Sequence, residues 1–372
     1  MGFPCARSER RIAMGWPFGG CKMGSRDRLL KEYGRVRFSV PPVWGAAFLL
    51  VLLFCISFSL GRYPVSLGNL FRVLLSLPLG GDGGVPPMVR SVVLRVRIPR
   101  VCAAVLIGGA LSVSGAVYQG LFRNPMVSPD ILGASAGACF GAALAILFSL
   151  PFVLVQLSAF CFGLAAVALS YAICLLVSRG KESLLVLVLA GIVIATLFSS
   201  LVSLGKYVAD PFGKLPEITY WLMGGLSSVT GKDAWLLLPP CVLGLLPLVL
   251  LRWQLNAMAF GDEEAQAMGL DTVRLRAVFI SAATLLTAAS VAVGGMIGWI
   301  GLVIPHLARM LAGPNCRDLI PTSFLVGSCF LLFVDNLARL FFTSEIPLGI
   351  LTSLIGAPFF VYLLFRRRKG WV

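Results

Sequence analysis

The chain has 372 residues, of which 58% are hydrophobic and only 13% are charged, and its formal net charge is +15. Soluble globular domains carry about 25% charged residues, so this composition excludes a soluble enzyme or binding domain as the body of the chain. It predicts an all-α, polytopic membrane protein, because stretches of about 20 apolar residues cross a bilayer as helices.

Residues 1–42 form a polar and basic segment with nine Lys and Arg. No apolar stretch followed by a cleavage site is present there, so we predict no removable signal peptide. Two interpretations stay open. The segment is a disordered cytoplasmic N-terminal tail, or the start codon is placed too far upstream and Met14 or Met23 is the first residue.

Ten apolar stretches follow and predict a bundle of about ten transmembrane helices, which together make a transmembrane domain over residues 43–366. They cover residues 43–60, 101–121, 131–150, 152–177, 184–204, 234–251, 275–295, 297–312, 319–341 and 346–365. An even number of spans places both termini on one side. The basic tail and the basic run at residues 366–369 indicate that this side is the cytoplasm of a bacterial inner membrane.

Four arginines lie within eleven residues before the second predicted span, on the side that the charge rule places outside: Arg90, Arg95, Arg97 and Arg100. A single arginine there would be explained by its side chain reaching to the membrane surface. A cluster on the unfavoured side instead indicates a docking surface for an acidic partner.

Two segments between predicted spans are interrupted by proline. Residues 124–130 contain Pro125 and Pro129, which end one helix before the next begins. Residues 206–233 are long for an external loop and contain Pro211 and Pro216. We predict that this second segment lies at the membrane interface or forms a short re-entrant helix.

A polar island at residues 260–269 separates two long apolar runs and is predicted to be a helix of its own. Asp262 can cap its N-terminus, Glu263 and Glu264 lie in the first turn, and Gly269 can end it. Such a short helix is unstable alone in water. We therefore expect it to dock on a separate soluble protein.

Charged residues inside the predicted spans are few, and Asp335 and Arg339 are spaced to pair on one helix face. That pair is either structural or functional, and an ion-coupled secondary transporter built on Asp335 is a remote alternative. His306 is the only histidine, which argues against a histidine metal cage or a serine protease triad. No P-loop motif is present, so ATP hydrolysis by a P-loop is not expected in this chain.

Several segments, in this order, resemble a known family. They are residues 97–100 (RIPR), 115–125 (GAVYQGLFRNP), 133–138 (GASAGA), 220–225 (YWLMGG), 298–306 (GWIGLVIPH) and 346–349 (IPLG). The chain is similar over about residues 43–366 to the FecCD-type permeases of ABC importers, which serve iron-siderophore, haem and vitamin B12 uptake. The resemblance implies a fold like that of the vitamin B12 permease.

The resemblance also implies partners and roles. The partners are a second permease copy in a homodimer or close heterodimer, a pair of cytoplasmic ABC ATPase subunits, and a periplasmic or lipoprotein substrate-binding protein. No catalytic residue, cofactor, metal site or nucleic acid is implied, and the chain is a transport subunit rather than an enzyme.

Three groups of residues match positions with family roles. The coupling helix that contacts the ATPase corresponds to Gly261, Asp262, Glu263, Glu264, Ala265, Met268 and Gly269, with Met268 in place of the more usual leucine. The arginines that receive acids of the binding protein correspond to Arg97, Arg100 and Arg339. The inner gate, which uses small polar residues in the vitamin B12 member, corresponds to Leu184 and Leu185, so this chain departs from that member by having apolar residues there.

The cargo most often carried by the family is an iron(III)-siderophore chelate, which we take as the expected substrate. Cobalamin, haem and a molybdate-type oxyanion are the alternatives, and no residue in the sequence decides among them.

Overall fold

The computed structural model describes residues 42–60, 65–79, 84–178, 184–340 and 345–367, all within one compact unit, Val40–Val372. The predicted tail, residues 1–42, lies outside this description apart from Pro42. Within the described ranges every regular element is a helix, in agreement with the predicted fold class.

The helices follow one another in chain order. They are α1 (Pro42–Ser59), α2 (Leu67–Leu79), α3 (Pro87–Ser91), a π-helical turn (Val92–Arg97), α4 (Ile98–Leu121), a 3₁₀ turn (Pro129–Leu132), α5 (Ala134–Leu147), α6 (Phe152–Val177), α7 (Leu184–Val208), α8 (Lys214–Leu222), α9 (Gly231–Leu250), α10 (Arg252–Met258), α11 (Asp262–Ala267), α12 (Thr272–Gly294), α13 (Ile300–Ala312), α14 (Cys316–Leu340) and α15 (Leu348–Arg367).

Among the described residues, six helices are long and apolar enough to cross a membrane: Pro87–Leu121, Phe152–Val177, Leu184–Val208, Gly231–Leu250, Thr272–Gly294 and Cys316–Leu340. The other four predicted spans correspond to shorter apolar helices, which are Pro42–Phe58, Ala134–Leu147, Ile300–Ala312 and Leu348–Leu363. A multi-pass helical bundle is therefore present, and the number of about ten crossings stays a prediction.

Two boundaries differ from those predicted. The second predicted span begins at Pro87 rather than at residue 101, because α3, the π-helical turn and α4 run on as one helix. Arginines lower the apparent hydropathy of residues 90–100, but some of them are buried and paired in the fold. The segment 206–233 is also partly helical, since α7 continues to Val208 and α8 forms a short helix at Lys214–Leu222, and its place at the membrane interface or as a re-entrant helix stays a prediction.

Helices α4 and α12 form the centre of the bundle. In their most apolar windows 83% and 78% of residues are buried, compared with 28–33% in α6, α7 and α9. Glycines allow the central helices to approach closely. A Cβ atom on Gly108 of α4 would lie 2.4 Å from the carbonyl oxygen of Gly327 on α14, so only glycine fits this crossing.

Candidate functional site

Helix α11 is the separate helix that the polar island predicts, but its N-terminus differs from the expectation. Asp262 is the first helical residue and not the cap. Gly261 takes the cap position with φ 144° and ψ 163°, a conformation that is essentially restricted to glycine. Gly269, with φ 81°, follows the C-terminal cap Met268, so the predicted glycine stop is confirmed.

The Asp262 carboxylate is not available for capping because it binds an arginine of the next helix. Nη2 of Arg276 on α12 lies 2.6 and 2.7 Å from its two oxygens, and the Arg276 side chain is only 3% exposed. A charge-assisted pair of this kind is stronger than a neutral hydrogen bond. The pair joins α11 to one of the two central helices.

Two further contacts hold α11 in place. Ala265 on the inner face is completely buried within the main hydrophobic core. Nε2 of Gln266 donates to Oγ1 of Thr272 at 3.1 Å, close to the start of α12. Although α11 has only six residues, it is therefore positioned by α12 and by the core.

The outer face of α11 combines acidic and apolar groups. Glu263 and Glu264 are exposed, and two large apolar side chains beside them, Phe260 and Met268, are 74% and 47% exposed. Together these side chains form an accessible face that is both acidic and apolar. Phe260 is part of the predicted island but was given no contact role, although a phenylalanine directly before a polar helix was a usable signal.

The three arginines matched to binding-protein docking lie together, but they are not an exposed rim in the single chain. Arg97, Arg100 and Arg339 are 4%, 5% and 8% exposed. With Asp335 and Glu345 they form a group that we call the charged cluster, at the end of the bundle opposite α11. It holds three cations and two anions.

Arg100 is the centre of the charged cluster. Its Nε and Nη2 lie 2.9 and 2.8 Å from Oδ1 of Asp335, and its Nη1 donates to both carboxylate oxygens of Glu345 at 3.0 and 2.9 Å. Arg339 pairs with the other Asp335 oxygen at 3.2 Å, which confirms the spacing-based prediction for that pair. Asp335 is fully buried and is shared by two guanidinium groups.

The cluster continues into α1. Arg339 donates to the side chain of Asn336, whose Nδ2 donates in turn to Oγ of Ser57 at 2.7 Å. Helices α1, α4 and α14 and the segment before α15 are thus joined by buried polar contacts. Glu345 could not be predicted as a partner, because it is 245 residues from Arg100 and no local pattern connects them.

The remaining arginines of the predicted docking surface are more accessible. Arg95 is exposed and Arg90 is half-buried, on the same continuous helix as the buried Arg97 and Arg100. The cluster of four arginines therefore divides into an accessible pair and a buried pair.

Two segments that carry the family resemblance, residues 220–225 and 346–349, meet each other and the end of α12 through their backbones. Gly225 N–H donates to the Gly294 carbonyl at 2.8 Å, Leu348 N–H to Gly224 at 2.9 Å, and Gly349 N–H to Met223 at 3.1 Å. The breaks after α8, after α12 and before α15 are therefore one structural unit. His306 lies elsewhere, buried on α13 directly after Pro305.

The predicted gate residues Leu184 and Leu185 are the first two residues of α7. Leu185 is 70% exposed and shares the open face of α7 with Leu189 and Ile192. Further along the helix, exposed hydroxyl side chains appear at Thr196, Ser199, Ser200 and Ser203, beside the exposed Leu197 and Leu204. The open face of this spanning helix is thus apolar in its first half and rich in hydroxyl groups in its second half.

Comparison with known proteins agrees with these features. The FecCD transport family matches residues 49–366. The molybdate import system permease protein MolB of Haemophilus influenzae is 38% identical over 328 residues, covering 88% of this chain and 96% of MolB. The Fe(3+) dicitrate transport system permease protein FecC of Escherichia coli is 34% identical over 331 residues, covering 87% and 97%.

A solved structure is also similar along most of its length. It is described as an inward-facing conformation of a metal-chelate type ABC transporter. It superposes with a TM-score of 0.78 at 39% identity, covering 87% of this chain and 98% of that one. The chain therefore belongs to the FecCD transport family, as a multi-pass permease subunit of an ABC importer of the metal-chelate type.

Proposed function

We propose that this permease imports an iron(III) chelate through a passage that it shares with a second copy of itself, with both termini in the cytoplasm. The observation that carries the proposal is the open face of α7. Polar groups on a membrane-spanning helix face a protein interior or water rather than lipid. A second copy placed against this face would enclose such a passage.

The hydroxyl half of the open face suits a cargo that brings its own metal ligands. Thr196, Ser200 and Ser203 each donate to the carbonyl four residues earlier, at 2.8, 3.0 and 3.0 Å. Their oxygens can still accept hydrogen bonds from a passing ligand. Hydroxyl groups bind a bare metal ion weakly. A ferric ion inside a chelate already has its ligands, so the chelate needs only hydrogen bonds to its surface.

The apolar half is proposed as the inner gate. Leu185, Leu189 and Ile192 lie one helical turn apart on the open face, and apolar constrictions close a pore by excluding water. We expect Leu185→Ser combined with Leu189→Ser to raise the leak of small ions through proteoliposomes without ATP. Leu204→Ser, an exposed leucine in the hydroxyl half, is the matched control. An unchanged leak in the double variant would remove the gate assignment.

Helix α11 is proposed as the contact with the ATPase subunits. Glu263, Glu264, Phe260 and Met268 are the accessible groups, and the Asp262–Arg276 pair would transmit movement of the docked helix to α12. Because α12 is at the centre of the bundle, a rigid-body shift of α11 would reach the packing of the spanning helices.

The end of the bundle with the charged cluster is proposed as the docking side for the substrate-binding protein. Since Arg97, Arg100 and Arg339 are buried in the single chain, we propose that they shape this surface while Arg95 offers the first accessible charge. We expect Arg95→Glu to weaken docking by about two- to fivefold at low salt, and less at high salt, from the modest energies of exposed pairs.

Titration of the purified binding protein onto the permease in nanodiscs, at two ionic strengths, measures this effect. Arg72→Glu is a suitable control, because Arg72 also lies on a helix, α2. Equal affinities for Arg95→Glu and the unchanged chain at both salt concentrations would contradict the docking assignment.

The cargo is tested by ATP-driven uptake in proteoliposomes that contain this permease, its ATPase and its binding protein. We expect accumulation of a ferric chelate, with cobalamin, haem and molybdate as competitors. Uptake of molybdate alone would show that the cargo is an oxyanion and not a ferric chelate. The similarity to MolB favours this alternative. Uptake without ATP would overturn the importer mechanism as a whole.

A further inference from the structure

An arginine with a strained backbone lies directly after α4, on a segment to which no role has been given above. Arg123 is two residues beyond Leu121, the last residue of α4, and has φ 50°. This is the left-handed region of backbone space, which an arginine rarely adopts. Such a conformation costs free energy and persists only where the surrounding structure fixes it, often at a functional surface.

The loop that contains this arginine, residues 122–128, is held at both ends by hydrogen bonds. The Asn124 N–H donates to the Gln119 carbonyl at 3.2 Å, and the Asn124 side chain accepts from the Met126 N–H at 2.9 Å. Val127 is buried, and its carbonyl accepts from Nε2 of Gln119 at 3.4 Å. The loop therefore has a fixed shape, which reduces the entropy that a partner would have to remove on binding.

The exposed side chains of this loop extend the outer face of α11. Nη1 of Arg123 lies 3.4 Å from the position that a Cβ atom on Gly261 would take, and a carboxylate oxygen of Glu264 lies beside the same position. Arg123 is exposed, and its guanidinium has no ion pair among the residues that the structure describes. Met126, which is 53% exposed, adds an apolar group. An accessible cation thus lies next to the acidic and apolar groups of α11.

The same loop leads from a central helix to the helix of the proposed passage. It follows α4 and precedes the 3₁₀ turn, Pro129–Leu132, which packs on α7. The packing is tight, because a Cβ atom on Gly191 of α7 would collide with the carbonyl oxygen of Ile131. Gly191 directly precedes Ile192 of the proposed gate. A displacement of the loop would therefore reach α7 beside that gate.

We propose that residues 122–128 are a second contact with the ATPase subunit, beside α11, and that Arg123 receives a carboxylate of that subunit. Through the two contacts the ATPase holds both central helices, α12 by way of α11 and α4 by way of the loop. An exposed guanidinium close to exposed apolar side chains suits a protein surface with an acid beside an apolar patch. This proposal rests on the assignment of α11 to the ATPase.

The test measures the affinity of the purified ATPase for the full-length permease in nanodiscs, at two ionic strengths. Arg123→Gly is the main variant, because it removes the guanidinium and suits the left-handed backbone, so that the permease alone should unfold at an equal or higher temperature. We expect the ATPase affinity to fall by about two- to fivefold, with a smaller loss at high salt. Arg123→Glu should weaken it further.

Two comparisons make this test specific. Arg317→Glu is the matched control, since Arg317 is an exposed arginine in the first turn of α14 and should leave the affinity unchanged. Glu264→Lys tests the contact of α11 by itself. A loss of affinity in Glu264→Lys with none in Arg123→Gly or Arg123→Glu would overturn the second contact alone. No loss in any of the three would also remove the assignment of α11.

Two further results would contradict the proposal. One is a lower unfolding temperature for Arg123→Gly in the absence of the ATPase, which would show that the side chain stabilises the permease itself. The other is loss of bound dioleoyl phosphatidylglycerol from Arg123→Gly in native mass spectrometry, with the ATPase affinity unchanged. That result would make a lipid phosphate, and not the ATPase, the ligand of Arg123.

Discussion

Replacing Asp335 with asparagine should lower the free energy of unfolding by about 3–5 kcal/mol, the cost of removing one partner from a buried ion pair. Asp335 is fully buried and is shared by Arg100 and Arg339, at 2.8 and 3.2 Å. Asparagine keeps the size of the side chain and removes its charge. Two buried guanidinium groups would then have Glu345 as the remaining anion of the charged cluster, and among the described residues that carboxylate forms its ion pair with Arg100.

Unfolding of the detergent-solubilised chain, followed by circular dichroism during denaturant titration, measures this loss. Glu345→Gln is the matched control, because the Glu345 side chain is 26% exposed and water can compensate part of its removal. We expect about 1 kcal/mol for the control. Equal effects of the two variants, or no effect of Asp335→Asn, would show that Asp335 is not the anchor of the cluster.

The second large effect is expected from Asp262→Lys combined with Glu264→Lys. The first change places a cation beside the buried Arg276 and breaks the pair that joins α11 to α12. The second reverses an exposed charge on the face proposed for the ATPase. We expect ATP-driven transport to fall by roughly tenfold or more, within the 5–150-fold range of typical coupling free energies. ATP hydrolysis should continue without transport.

Single variants separate the two roles of α11. Asp262→Asn should impair transport while the ATPase still copurifies, whereas Glu264→Lys should reduce copurification. Asp318→Lys, an exposed acid in the first turn of α14, controls for charge reversal elsewhere. Transport by the double variant at the level of the unchanged chain would remove the coupling assignment.

A substantial part of this organisation can be predicted from the sequence. The helical membrane class follows from apolar stretches of spanning length, and α11 follows from a polar island with a glycine at its end. The Asp335–Arg339 pair follows from a spacing of four on one helix. Each of these features is local, so that residues within one or two turns of each other decide the outcome.

The features that could not be predicted depend on contacts between distant parts of the chain. Arg97 and Arg100 were expected to be accessible, because charge and hydropathy patterns do not show which helix will cover them. The cover is provided by α14 and by Glu345, which are 235 and 245 residues away from Arg100. Asp262 was likewise expected to cap α11, but a better partner, Arg276, is available from α12.

The sequence by itself therefore determined the class of the protein, the order of its helices and the place of the helix proposed to contact the ATPase, because hydropathy, turn residues and short spacings act over a few residues. The tertiary structure alone decided which charges are buried and paired and how α11 is joined to the centre of the bundle. These outcomes arise from the packing of α1, α4, α12 and α14, since burial is a property of the assembled bundle and not of any one segment.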